Sequence, residues 1–112
     1  MMPKDGSLLR IFVGESDRAH GQPLYEWIVL EARRAGLAGA TVLRGILGYG
    51  ASSRLHSHRI ESLTLDLPII VELVDTEPRL EAFLEQIEVE IRGGLATIEK
   101  ASVRLYRSPP AQ

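Results

Sequence analysis

The chain has 112 residues, which is enough for one hydrophobic core and too few for two domains. Its net charge of -2 at pH 7 excludes a general nucleic-acid binder, and the absence of cysteine excludes disulfides, thiolate metal sites and cysteine nucleophiles. No apolar run reaches the roughly 20 residues of a membrane span, and no signal peptide is recognisable, so we expect a cytoplasmic protein without membrane insertion. We expect a single domain over 1–112, with its core at about 8–106 and a flexible tail at 107–112.

The chain begins with a predicted strand followed by a predicted helix. Residues 8–13, LLRIFV, are short, apolar and partly β-branched, which is typical of a strand. Residues 23–35, PLYEWIVLEARRA, predict the helix, because Pro23 suits a first turn and Gly36 suits the position just after the last turn.

Two further strands and a second helix precede the last predicted strand. Residues 40–47, ATVLRGIL, predict the second strand. Residues 63–74, LTLDLPIIVELV, predict the third, in which Pro68 must lie at the strand start, an edge or a bulge. Residues 75–92 show the clearest helical periodicity, with an acidic first turn and two glycines after the end. Residues 95–107, LATIEKASVRLYR, predict the fourth strand.

The order β-α-β, long connection, β-α-β is that of the split βαβ or ferredoxin-like fold. We therefore expect an α+β sandwich: an antiparallel four-stranded sheet with two helices on one face. The first and third strands are apolar on both faces, which favours pairing of the helix-free face with another subunit. Val29 and Leu30 lie off the main apolar stripe of the first helix, which fits either a well-covered helix or a subunit contact.

Residues 44–61, RGILGYGASSRLHSHRIE, have the composition of neither a regular strand nor a regular helix. The glycines let the backbone bend and bring N–H groups close to an anion, and the arginines supply forked donors. The glycine spacing matches neither a Walker A loop nor a dinucleotide fingerprint. A solvated glycine-rich hairpin loop would have the same composition, so both interpretations stay open. The residues concerned are Gly45, Gly48, Gly50, Arg54 and Arg59.

The same stretch contains a candidate metal pair. His56 and His58 would project from one face of an extended strand, but zinc or copper needs further ligands. Glu61 and His20 are the nearest candidates in the sequence.

The sequence offers little support for catalysis. Ser52 and Ser53 precede His56, but no nucleophile elbow or orienting acid accompanies them. Acylphosphatases share the predicted fold and need an arginine-bearing loop after the first strand, where this chain reads GESDRAHGQP. Glu15 and Asp17 in that segment fit a solvated turn. We therefore expect a protein that is not an enzyme.

Several segments together resemble a known family. GATVLRGILGYGASSRLHSHRI followed by DLPIIVELVD, with LRIFVGE near the start and GGLATIEKASVRLY near the end, closely resembles the domain-of-unknown-function 190 family of the PII-like (nitrogen regulatory PII) superfamily. The resemblance runs from about Leu8 to Tyr106 and is most specific in GYGASSRLH. It implies a homotrimer of ferredoxin-like subunits that binds nucleotides in the clefts between them. It also implies that the long connection is a T-loop, which docks on a target protein such as a transporter, channel or enzyme.

The resemblance assigns functional residues to the two walls of such a cleft and to the loop. One wall is the loop base, residues 45–50, and the other is the glycine turn, Gly93 and Gly94, together with basic residues on or after the last strand. The implied nucleotide-binding residues are Gly45, Ile46, Leu47, Gly48, Tyr49, Gly50, Arg54, Gly93, Gly94 and Arg104, with Arg107 as a further basic candidate. The implied partner-binding residues are Ser52, Ser53, Arg54, His56, His58 and Arg59.

One departure from the PII pattern bears on the ligand. Leu95 and Ala96 follow the glycine turn, where PII proteins have a lysine for the phosphates. The expected effector is an adenine nucleotide (AMP, ADP or ATP) or a similar small anion, and AMP or ADP would need fewer phosphate donors than ATP.

The leading hypothesis is therefore a PII-like signalling protein that senses a nucleotide through the 48–60 loop. One alternative is a divalent-metal-binding trimer of the CutA type that uses His56 and His58. The other is an assembly protein with no small ligand, in which the glycine stretch only shapes a hairpin.

Overall fold

The computed structural model describes residues 5–49 and 66–106. The elements are β1 at Asp5–Gly14, β2 at Arg18–Ala19, β3 at Gln22–Pro23, α1 at Leu24–Arg34, β4 at Gly39–Arg44, β5 at Pro68–Asp75, α2 at Glu77–Ile87 and β6 at Leu95–Ser102. The two short strands β2 and β3 form a hairpin between β1 and α1, and a 3-10 helix at Glu88–Glu90 follows α2.

The main sheet has four antiparallel strands in the order β4-β5-β1-β6. The central strand β1 pairs with both β5 and β6, so that Phe12 lies opposite Ile70 on one side and Leu95 on the other. Both helices pack on one face of this sheet. The predicted ferredoxin-like α+β fold is therefore confirmed, and Pro68 begins β5 as expected.

The core lies between the sheet and the two helices. From residue 7 to 13 of β1, and along the whole of β5, side chains alternate between buried and half-buried, which is the period-two pattern of strands with one fully covered face. The buried apolar residues are Leu9, Ile11, Val13, Ala19, Leu24, Ile28, Ala32, Ile69, Val71, Leu73, Leu80, Phe83 and Ile87. Among the described residues, no helix is long and apolar enough to cross a bilayer.

Several elements differ from the prediction. The second strand ends at Arg44 and not at residue 47, and the third begins at Pro68, so that Asp66 and Leu67, predicted as strand, lie outside it. The second helix is α-helical only to Ile87 and then tightens into the 3-10 turn, whereas the periodicity predicts a helix to Arg92. The fourth strand ends at Ser102, where its pairing with β1 ends, although its composition predicts a longer strand. The β2–β3 hairpin was not predicted, because two-residue strands are too short to produce a periodic signal.

The C-terminus of α1 ends in a Schellman motif. Gly36 has a positive φ of 75°, a conformation that glycine adopts without steric cost. The N–H of Gly36 donates to the carbonyl of Arg33 at 3.0 Å, and the N–H of Leu37 donates to that of Ala32 at 3.1 Å. These bonds satisfy carbonyls that the end of a helix would otherwise leave unpaired. The position predicted for Gly36 is confirmed.

A buried carboxylate attaches this helix end to the start of α2. Asp75 is 1% exposed, and its carboxylate accepts hydrogen bonds from the N–H of Ala38 at 2.9 Å and of Thr76 at 2.7 Å. Arg79 donates to the same carboxylate at 2.9 Å and to the carbonyl of Ala35 at 2.8 Å. Asp75 and Arg79 therefore connect β5, α1 and α2 at one end of the sheet.

The helix-free face of the sheet carries a row of apolar side chains that crosses all four strands. Its two end residues are half-exposed leucines, Leu43 at 45% and Leu95 at 43% exposure. The row consists of Leu43, Ile70, Phe12 and Leu95.

A charged cluster lies beside this row. Arg10 donates to Glu72 at 3.0 Å and also pairs with Glu99. The hydrogen bond with Glu72, and then that with Glu99, raises the pKa of Arg10 above its ordinary value. The helix-free face thus combines an apolar row with a cluster of one arginine and two glutamates, whose formal charge is -1.

Replacing Asp75 should destabilise the fold. Asp75→Ala removes the acceptor for three donors, one of them a guanidinium, so we expect a loss of about 3 kcal/mol in the free energy of unfolding. Urea denaturation followed by circular dichroism measures this. The exposed Glu85 of α2 provides the control, because Glu85→Ala should change stability by less than about 0.5 kcal/mol. Equal effects of the two substitutions would contradict the assigned role of Asp75.

Candidate functional site

The predicted nucleotide-binding segments lie at one end of the sheet. At this end β1 and β4 finish and β5 and β6 begin, as the pairing of Arg44 with Ile69 and of Phe12 with Leu95 shows. The loop base leaves the sheet here from β4, and the glycine turn enters it here before β6.

The first residue of the loop base, Gly45, is hydrogen-bonded to the start of β5. The N–H of Gly45 donates to the carbonyl of Pro68 at 2.8 Å. A Cβ at Gly45 would lie 2.7 Å from Cγ of Pro68, so a side chain would push the loop away from β5. Beyond this point the apolar side chains are exposed, with Ile46 at 89% and Tyr49 at 76%. The loop base thus presents backbone and apolar groups to its surroundings.

The connection after β1 supports the loop base. The N–H of Glu15 donates to the carbonyl of Leu67 at 2.9 Å, and its carboxylate pairs with Arg44 at the end of β4. Asp17 accepts a hydrogen bond from the N–H of Gly14 at 2.9 Å, which closes the turn on itself. The segment is a turn in which both acids are partly exposed, as the solvated-turn interpretation expected, and in addition both make defined structural contacts.

The glycine turn approaches β1 closely. Gly94 has a φ of +143°, and a Cβ at this position would lie 2.5 Å from the backbone carbonyl oxygen of Phe12. A backbone atom cannot move aside as a flexible side chain can, so this position requires glycine. The turn is therefore fixed relative to the end of β1.

The sheet separates the groups that the sequence assigned to one cleft. The loop base and the glycine turn lie at the same end but on opposite edge strands, three strand spacings or about 14 Å apart. Arg104 follows the far end of β6, about 24 Å or more along the strand from Gly94. In one chain, then, Arg104 is at the opposite end of the sheet from the glycine turn.

A pocket of about 300 Å³ lies next to the glycine turn. The β2–β3 hairpin and the 3-10 helix border it, and His20 in the hairpin turn contacts Glu90 of that helix at 3.2 Å. The rings of His20 and Trp27 have centroids 5.3 Å apart and are tilted by 32°. Its lining residues are Ser16, Asp17, Arg18, Leu24, Glu90, Arg92 and Gly93.

Sequence reasoning missed most of this pocket. Arg92 directly precedes the glycine pair, and that adjacency is the signal that could have identified it. Arg18 and Glu90 are 72 positions apart in the chain, so only folding brings them together.

The metal hypothesis gains no support from the described residues. Within 5–49 and 66–106, no three histidine, aspartate or glutamate side chains cluster in a way that would hold a metal ion. His20, named as a further ligand, instead contacts Glu90 and Trp27.

Other assigned residues lie outside the part of the chain that the structure describes. These are Gly50, Ser52, Ser53, Arg54, His56, His58, Arg59, Glu61 and Arg107.

Solved structures of proteins described as PII-like share the ferredoxin-like fold of this chain. CPII from Thiomonas intermedia K12, solved bound to ADP, AMP and acetate, superposes with a TM-score of 0.62 at 18% sequence identity and covers 90% of each chain. A protein of Thermus thermophilus, described as PII-like and signaling, superposes with a TM-score of 0.60 at 21% identity and covers 92% of this chain and 93% of that one. At these identities the likeness concerns the fold.

The family follows from sequence comparison. The model of the DUF190 family, described as Uncharacterized ACR, matches residues 6–103, and the chain belongs to this family. A UPF0166 protein of Aquifex aeolicus is 40% identical over 96 residues, which cover 86% of this chain and 90% of that protein. A UPF0166 protein of Methanocaldococcus jannaschii is 35% identical over 97 residues, covering 86% and 89%. The family resemblance read from the sequence is therefore confirmed.

Placing a side chain on the glycine turn should destabilise the protein. Gly94→Ala combines an unfavourable φ with a backbone clash, so we expect a loss of about 2–4 kcal/mol in the free energy of unfolding. Gly39→Ala is the matched control, since its Cβ would be 4.0 Å from that of Val74, an ordinary contact. Chemical denaturation of both variants tests this, and a Gly94→Ala protein as stable as Gly39→Ala would refute the assigned constraint.

Proposed function

We propose that this protein is a PII-like regulatory protein and not an enzyme. In this proposal it forms a homotrimer in the cytoplasm and binds an adenine nucleotide or a similar small anion in clefts between subunits. Residues 48–60 then transmit the bound state to a target protein such as a transporter, channel or enzyme. The observation that carries the proposal is the position of the loop base and the glycine turn on opposite edges of one sheet end.

This geometry favours a shared cleft. A ligand held by both segments of one chain would have to cross the ends of β5 and β1, where Glu15 is bonded to Leu67. If subunits instead meet edge to edge, the β4 edge of one lies beside the β6 edge of the next, and the two walls face each other. A heterologous contact of this kind closes into a ring when repeated by rotation.

The helix-free face supports the oligomer. Leu43 and Leu95 are close to half exposed, and they end an apolar row that crosses the sheet. Burial of this row between subunits would remove apolar surface from water at about 25 cal/mol per Å². Trimeric assembly itself is the arrangement that the PII-like resemblance implies.

The position of Arg104 limits how it can contribute to a nucleotide-binding cleft. Because Arg104 lies beyond the far end of β6, no small ligand contacts both Gly94 and Arg104 of the same chain. We propose that, if both line one cleft, two different subunits supply them.

The nature of the ligand is proposed from two sources. CPII shares the fold and was solved bound to ADP, AMP and acetate. Leu95 and Ala96 follow the glycine turn here, so no lysine is supplied from those positions for an extended phosphate chain. Adenine nucleotides with one or two phosphates are therefore the first candidates.

Calorimetric titration with AMP, ADP, ATP and cyclic nucleotides tests this function. The purified protein is first confirmed as a trimer by light scattering. We expect saturable binding of at least one adenine nucleotide. Ile46→Glu places a carboxylate at the loop base and should weaken binding at least about tenfold, whereas Ala82→Glu on the exposed side of α2 should not.

A second pair of variants tests whether Arg104 donates to the bound anion. Arg104→Ala should weaken binding about tenfold if Arg104 donates to the anion, while the control Arg33→Ala, in the last turn of α1 at the other end of the helix from the site, should have no effect. A folded trimer that gives no heat with any nucleotide would refute the proposed function.

A further inference from the structure

The pocket beside the glycine turn has the size of a site for part of a small ligand. Its volume of about 300 Å³ is at the lower end of the range for small-molecule sites. Gly93 forms part of its lining, so the pocket is continuous with the glycine-turn wall of the proposed cleft. A mononucleotide or a portion of a larger nucleotide fits these dimensions better than an extended triphosphate.

Two guanidinium groups supply donors to this pocket. Arg18 uses one nitrogen to donate to the carbonyl of Gly21 at 2.9 Å, and a guanidinium has five N–H groups in all. Arg92 lies between the 3-10 helix and the glycine turn and is exposed at the pocket. Forked guanidinium donors match the oxygens of a phosphate group.

Two carboxylates line the same pocket, which restricts the class of ligand. Asp17 accepts from the N–H of Gly14, and one oxygen of Glu90 contacts His20. A carboxylate has about four acceptor positions, so both groups keep capacity for donors of a ligand. They disfavour negative charge beyond what the two arginines offset, which counts against a triphosphate, and they would accept hydrogen bonds from sugar hydroxyls.

We infer that this pocket binds the sugar and phosphate of a nucleoside monophosphate. Arg92 and Arg18 donate to the phosphate, and Glu90 and Asp17 accept from the sugar hydroxyls. The inference rests on the proposed function and specifies its site: the arginine immediately before the glycine turn supplies the phosphate contact that a lysine after the turn would otherwise supply. The protein therefore prefers one phosphate to three.

Titration of Arg92 variants with AMP, ATP and adenosine tests this assignment. For the wild type, AMP should bind more tightly than ATP. Arg92→Ala should bind AMP about 10- to 100-fold more weakly, and Arg92→Lys should lose less, because it keeps the charge without the fork. Adenosine, measured by displacement of AMP, lacks the phosphate and should bind both proteins within about threefold. Arg33→Ala is the matched control and should behave as the wild type.

The outcomes separate this inference from the proposed function. Unchanged AMP binding by Arg92→Ala, or equal losses for AMP and adenosine, would overturn the phosphate role of Arg92 while leaving the nucleotide-sensing function intact. Tighter binding of ATP than of AMP by the wild type would overturn the monophosphate preference alone. If the wild-type trimer binds no nucleotide, the proposed function fails and this inference fails with it.

Discussion

The central position of β1 is the constraint on which the rest of the structure depends. This strand pairs with β5 on one side and β6 on the other, so β4 and β6 become the two edges of the sheet. The loop base and the glycine turn consequently reach the same sheet end from opposite edges. The close approach of Gly94 to the carbonyl oxygen of Phe12 fixes one of them, and the bond from Gly45 to Pro68 fixes the other. A site that uses both is most readily formed where two copies of the chain meet.

The sequence predicted the fold well because its signals are local. The alternation in β1, the proline before α1, the glycine after it and the apolar stripe of α2 each depend on a few neighbouring residues. The order of these elements then leaves few topologies. The β2–β3 hairpin escaped prediction because its strands have two residues each, although His20 and Gly21 with positive φ supply the turn geometry that such a short hairpin needs.

The candidate site was predictable only in part. Two of the glycines, Gly45 and Gly94, were identified correctly as positions with special backbone requirements, since neither has room for a side chain. Arg104 and the glycine turn were grouped in one cleft, but β6 carries Arg104 away from Gly94 of the same chain, so strand direction requires two subunits to supply them. The pocket at Arg92 depends on packing of the β2–β3 hairpin against the 3-10 helix, two segments distant in the sequence. Only the folded chain brings their charges together.

Mixing two variants that are each defective in one wall tests most directly whether the site is shared between subunits. Ile46→Glu would impair the loop base and Gly93→Glu the glycine turn, and each homotrimer should bind nucleotide at least about tenfold more weakly than the wild type. Co-expression gives mixed rings, in which a shared cleft combines the loop base of one chain with the turn of its neighbour. We predict that about one quarter of the clefts, a half times a half, regain two intact walls and bind nucleotide with wild-type affinity by calorimetry. If both walls belong to the same chain, every cleft keeps one defect, and the absence of restored binding would contradict the account.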